Sequence, residues 1–144
     1  MKPNENHFML QAINDAKKYG LRFGAVIVKN NKIIAKAGKR PQGDARFHAE
    51  TQVILKACKK LNSKTLNNCI LYCTCEPCPM CFYMAFITNI SKIVYGATLQ
   101  DSLDCGFPEM NVSSKFLNKK INNKIEIQGK FMRKECLELF KKLN

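Results

Sequence analysis

The sequence predicts an α/β fold, a sheet with helices layered on it. Apolar residues recur at helical spacing in some stretches and as short continuous runs in others, and the two kinds alternate along the chain. At 144 residues and 46% apolar composition, the chain fits one domain over residues 1–144 with enough apolar side chains for a single substantial core. It has no internal repeat and no low-complexity linker.

The first element reads as an amphipathic helix over residues 5–19, because Phe8, Ala12, Ala16 and Tyr19 share one stripe with Met9 and Ile13 beside it. Gly20 is its C-terminal stop. Phe23 to Val28 and Lys32 to Ala37 are strand-length apolar runs joined by Lys29-Asn30-Asn31, which reads as a hairpin. Helical spacing returns from Ala49 to Leu61 through Val53, Ile54, Ala57 and Leu61. Cys69 to Cys73 is a short buried strand, a helix runs from the following cysteine motif to about Thr88, and Lys92 to Gly96 is another strand. Lys124 to Gln128 is a candidate fifth strand, and Phe131 to Leu143 a closing helix with Leu137, Phe140 and Leu143 on one face. Asn111 to Lys124, polar and weakly patterned, reads as a flap or surface connection.

Composition narrows the function classes. No secretory apolar region follows Met1-Lys2-Pro3, and runs such as Cys81 to Ile87 are too short to cross a bilayer, so a soluble, cytoplasmic protein without a membrane partner is expected. Reduced thiols are the expectation for the eight cysteines, with Cys58, Cys69, Cys73, Cys75, Cys105 and Cys136 as small buried apolar residues. The net charge of +13 suits a nucleic-acid partner. It comes from 20 Lys and only 4 Arg beside 14 Asn, which equally suits a solvated lysine surface without the Arg fork that specific phosphate recognition favours.

Two short motifs carry chemistry: His48-Ala49-Glu50, and Pro77-Cys78-Pro79-Met80-Cys81. Each follows a strand or loop and opens a helix, where unpaired N–H groups and partial positive charge favour thiolates. Pro77 suits a first-turn position, and the spacing of Cys78 and Cys81 puts both sulfurs on one helical face. A catalytic zinc typically takes three protein ligands and leaves one position open, and His48, Cys78 and Cys81 make three. Glu50, two residues from a ligand, is then placed to move protons between water, a ring nitrogen and a departing amine. An all-thiolate structural zinc site from Cys73, Cys75, Cys78 and Cys81 is the inert alternative. His7, alone in the first helix, reads as a surface or packing residue.

This H-x-E and P-C-x-x-C pair is the signature of zinc-dependent base deaminases, and over nearly its whole length the chain resembles the cytidine deaminase-like superfamily. The resemblance implies a three-layer α/β/α sandwich with a five-stranded mixed sheet, one Zn2+ per chain, and a homodimer or larger assembly that exchanges its segment around 131–143. Cys75-Glu76-Pro77-Cys78-Pro79-Met80-Cys81 is most similar to guanine deaminases and their small-base relatives, with tRNA adenosine deaminases close by. It implies Glu76 and Pro77 as supports behind the zinc ligands. It also implies substrate contacts from Phe23, Gly24, Ala25, Ala49 and Glu109, with a ring stacking on Phe23 and Glu109 orienting a purine.

Departures fall on substrate-contacting positions. Lys39 follows Gly38 where the family places an Asn, and Asp44-Ala45-Arg46-Phe47 replaces the usual D-P-T-A run before His48. The expected function is hydrolytic deamination of a guanine-like free base. tRNA adenosine-to-inosine deamination, cytosine or cytidine deamination, and a zinc-stabilised interaction module stand as alternatives.

Overall fold

A computed structural model describes residues 4–38 and 43–141. Its elements in chain order are α1 (Glu5–Lys18), β1 (Ala25–Lys29), β2 (Lys32–Ala37), α2 (Ala49–Leu61), β3 (Cys69–Cys75), α3 (Pro79–Ile87), β4 (Lys92–Ala97), α4 (Leu99–Asp104), α5 (Ser114–Lys119), β5 (Glu126–Gln128) and α6 (Arg133–Lys141). The strands form one five-stranded mixed sheet in the order β2-β1-β3-β4-β5. β1 pairs antiparallel with β2 and β3, whereas β3-β4 and β4-β5 are parallel.

Strand alternation divides the core into two layers. On one face Val26, Val28, Tyr72 and Val94 pack with Phe8, Met9, Ala12, Ile13 and Ala16 of α1 and with Cys136, Leu139 and Phe140 of α6. On the other, Ala25, Ile27, Leu71 and Ile93 meet Val53, Ile54 and Ala57 of α2 and Phe82 and Ala85 of α3. The result is the expected α/β/α sandwich. The closing helix α6 packs on β4.

The asparagines have a local use that composition hides. Asn30 and Asn31 both sit at positive φ (50° and 65°), the conformation a two-residue hairpin turn requires, and Asn62, Asn68, Asn89, Asn122 and Asn123 are left-handed too. Asn tolerates that region better than other non-glycine residues, so seven of its occurrences end helices or turn loops.

One segment and two cysteines depart from expectation. Residues 111–124 carry α5 rather than a flap: Ser114 and Asn118 are buried, and Leu117 and Ile121 pack on the core. The Asn118 side chain donates to the Ile125 carbonyl at 2.7 Å and accepts the Ile125 N–H at 3.2 Å, fixing the approach to β5. Cys105 is exposed, and Cys58 is only half-buried, while Cys69, Cys73, Cys75 and Cys136 are buried thiols as expected. Among the described residues no helix is long and apolar enough to cross a membrane, and His7 is exposed.

Candidate active site

Both motifs lie at helix starts. His48 is the N-cap of α2 and Cys78 the N-cap of α3, each in extended backbone (φ −69°, ψ 159°; φ −68°, ψ 168°). Pro79, not Pro77, occupies the first helical position. A residue before proline is barred from α conformation, so Cys78 stays extended and the helix begins one residue later, leaving Pro77 buried ahead of it. Cys81 is then at the third helical position, where a residue lies beside its own N-cap.

Three soft donors converge there. Cys78 Sγ lies 3.6 Å and Cys81 Sγ 3.5 Å from His48 Nδ1, and the two sulfurs are 3.5 Å apart. Tetrahedral zinc with ordinary bond lengths needs sulfur–nitrogen edges of about 3.6 Å and sulfur–sulfur edges of about 3.8 Å, so this donor set fits zinc closely. His48, Cys78 and Cys81 are the only such metal-capable group among the described residues. The all-thiolate alternative is set aside by geometry: the Cys73 and Cys75 thiols donate to the carbonyls of Val94 and Thr98. Burial pushes both well above the usual thiol range.

The hydrogen bond shared with Cys81 holds Cys78 down at about 4, burial opposing and His48 assisting, while Cys81 moves up. Glu50, in the first turn of α2, is only 6% exposed. Burial pushes its carboxyl up to about 7, the Cys78 charge adds to the rise, and His48 opposes it.

His48, Glu50 and Cys78 floor a cavity of about 320 Å³. Phe23, Ala49, Glu50, Glu76 and Glu109 line it with His48 and Cys78, as do Phe47, Gln52, Phe107 and Arg22. Glu109 Oε2 accepts the Ser102 hydroxyl at 2.7 Å. Gly24 and Ala25 are not on the wall: a Cβ on Gly24 would collide with the Ala12 carbonyl oxygen, so its smallness lets α1 seat on the sheet, and Ala25 is buried among the α2-side core. Lys39 lies outside the described residues. Arg46 points to solvent, paired with Asp44 at 2.7 Å and 81% exposed, whereas Ala45 and Phe47 of the same run lie on the wall.

Glu76 has a larger part than the sequence suggested. Its Oε1 accepts the Leu99 N–H at 2.8 Å, and its Oε2 accepts both the N–H and the hydroxyl of Ser114 at 2.8 Å. One buried carboxylate thus joins the first residues of α4 and α5 to the start of α3. Arg22 was overlooked. Its guanidinium carbon lies 4.5 Å from the Phe107 ring centroid, and Thr74 positions its backbone by donating to the Arg22 carbonyl while accepting the Gly24 N–H. Its one sequence signal is scarcity, as one of four arginines directly before Phe23.

The comparisons with known proteins agree with this geometry. Residues 2–97 match the zinc-binding region of cytidine and deoxycytidylate deaminases. A guanine deaminase of Bacillus subtilis is 39% identical over 106 residues, covering 72% of this chain and 65% of that protein, so the chain spans just under two thirds of that relative's length. The tRNA-specific adenosine deaminase of the same organism is 34% identical over 135 residues, 90% of this chain and 81% of that protein. Among solved structures, one from a study of A-to-I editing by tRNA:A34 deaminases superposes with a TM-score of 0.78 at 28% identity, covering 93% of this chain and 99% of that one. The chain belongs to the cytidine and deoxycytidylate deaminase family, with its zinc-binding region.

Proposed function

We propose that this chain is a hydrolase that replaces the exocyclic amine of a nucleobase with a carbonyl and releases ammonia, with a guanine-like free base as substrate. The observation that carries the reading is the placement of Glu50: a buried carboxylic acid in the first turn of α2, lining the same cavity as His48 and Cys78. His48, Cys78 and Cys81 would hold zinc, which when bound supplies Lewis acidity that makes water a nucleophile near neutral pH.

Glu50 takes a proton from the attacking water and hands it to the ring nitrogen beside the amine-bearing carbon. It then carries the second proton to the amine, so that the carbon–nitrogen bond breaks, ammonia leaves and a carbonyl remains. Phe23 and Phe107 give the ring an apolar wall, and Glu109 offers an acceptor to a ring N–H. A cavity of about 320 Å³ sits at the small end of ligand sites, which favours a base over a larger substrate.

A tRNA adenosine deaminase is the second reading, favoured by the +13 charge and by the relative that matches 90% of the chain. Homodimerisation belongs to the same proposal: α3 leaves Met80, Tyr83 and Ile87 exposed in one stripe, and sedimentation would measure the assembly. The test is zinc-loaded protein against guanine, cytosine, adenine, their nucleosides and tRNA, with ammonia and inosine measured. Ammonia from guanine that disappears in Glu50→Gln supports the reading; inosine in tRNA alone replaces it with the second.

A further inference from the structure

Arg22 and Glu109 line one cavity without pairing with each other. Among the described residues the Arg22 side chain makes no hydrogen bond or ion pair, and its guanidinium lies over the Phe107 ring. Phe107 is itself held edge-on by Phe23 and Phe140, with ring centroids 5.5 and 5.6 Å away. A cation over a ring face is held by the ring's quadrupole and not by a hydrogen-bond acceptor, so the fork keeps its donors for a ligand.

We propose that Arg22 is a specificity-determining residue whose fork reads a carbonyl oxygen and a neighbouring ring nitrogen on the edge of the substrate base. This rests on the deaminase reading above and names the substrate class within it: an aminated ring that also bears a carbonyl. An arginine fork matches two adjacent acceptors, and guanine offers such a pair whereas adenine presents an amine in place of the carbonyl. An anionic substituent suits the cavity less well, because Glu50, Glu76 and Glu109 share its wall. A neutral ring with an acceptor edge toward Arg22 and an N–H toward Glu109 meets both charges favourably.

The test compares guanine with 2-aminopurine, which carries the same amine but lacks the carbonyl. Arg22→Met keeps apolar packing on Phe107 and removes the donors; Arg22→Lys keeps the charge and loses the fork. A lost bidentate contact should lower kcat/KM for guanine by about 5- to 150-fold in Arg22→Met. Turnover of 2-aminopurine, which keeps the ring nitrogen but offers no carbonyl, should fall clearly less than that of guanine, since only half of the contact is there to lose, and Arg22→Lys should recover part of the guanine loss. Equal losses on both rings would overturn the proposal in favour of a packing role. A loss confined to guanosine monophosphate or tRNA would overturn it in favour of a phosphate subsite. If wild-type protein with zinc releases ammonia from neither ring, the guanine reading itself fails. Calorimetric titration of guanine then decides on Arg22: weaker binding to Arg22→Met upholds the assignment, and unchanged or absent binding overturns it.

Discussion

Replacing Glu76 by Gln should destabilise the protein far more than an isosteric exchange suggests. The carboxylate is 6% exposed and accepts three hydrogen bonds, each of 2.8 Å, two of them from the backbone N–H groups of Leu99 and Ser114. Those donors belong to the first residues of α4 and α5. A glutamine amide has one acceptor oxygen. Whichever way it turns, its NH2 faces a backbone N–H that cannot reverse, whereas the Ser114 hydroxyl can rotate. One charge-assisted bond worth about 1.5–3 kcal/mol is lost, and the survivors fall toward the neutral value of about 1 kcal/mol. The expected cost is about 2–4 kcal/mol, or about 6–15 °C in Tm for a chain of this size. Calorimetry of zinc-loaded proteins reads the total. Amide hydrogen exchange at Leu99 and Ser114 reads the site, with acceleration of about 30- to 1,000-fold expected from the same energy. A Tm within about 2 °C of wild type, or unchanged exchange at both amides, would refute the reasoning.

Glu50→Gln keeps the shape of the cavity floor but removes the proton carrier, so ammonia release should fall by at least about a hundredfold while bound zinc, measured by atomic absorption, stays near one per chain. Asp101 is held down at about 2 by hydrogen bonds from Arg133, burial opposing and Thr98 assisting. A depressed carboxylate stabilises above its unfolded pKa and loses that contribution as pH falls through its folded one. The wild-type advantage over Asp101→Asn should therefore be about 1–2 kcal/mol at pH 7, after allowing for the exposure of Arg133, and should shrink between about pH 4 and pH 2. Urea melts at both ends of that window measure it, and a constant gap would count against the pair. Tyr72 is fully buried, and among the described residues its hydroxyl meets no hydrogen-bond partner. Tyr72→Phe should thus be neutral or raise stability by up to about 1–3 kcal/mol, and a lower Tm would mean that the hydroxyl has a partner such as water.

Residues whose meaning lies in local spacing were legible in the sequence. β2 and α2 fall where their apolar patterns put them, and His48, Cys78 and Cys81 come together because each motif sets its ligand at a helix start. What stayed hidden depends on distant partners. Glu76 is bonded to residues 23 and 38 positions away, and no window around the P-C-x-x-C motif contains them. α4 and α5 have six residues each, too few for a hydrophobic period to repeat, although Thr98 and Ser113 are capping residues in plain view. Gly24 misled for a different reason. A glycine beside a predicted pocket suggests room for a ligand, but the backbone that approaches it belongs to α1.

The two halves of the site differ in how they can change. The floor is over-determined: His48 and Cys78 must be extended for α2 and α3 to begin, and Cys81 is carried by the first turn of α3. Any chain that keeps those helix starts keeps the donor triangle. The wall is assembled from unconnected pieces, with Arg22 and Phe23 from the approach to β1, Phe47 from the loop before α2, and Phe107 and Glu109 from the segment after α4. The pieces meet in one aromatic cluster with Arg22 over Phe107, apart from the helix starts that carry the ligands, so a substitution such as an arginine before Phe23 can alter the wall without disturbing the donor triangle. Substrate choice can therefore diverge among proteins that share this floor, as it does between the guanine and tRNA adenosine deaminases that this chain resembles.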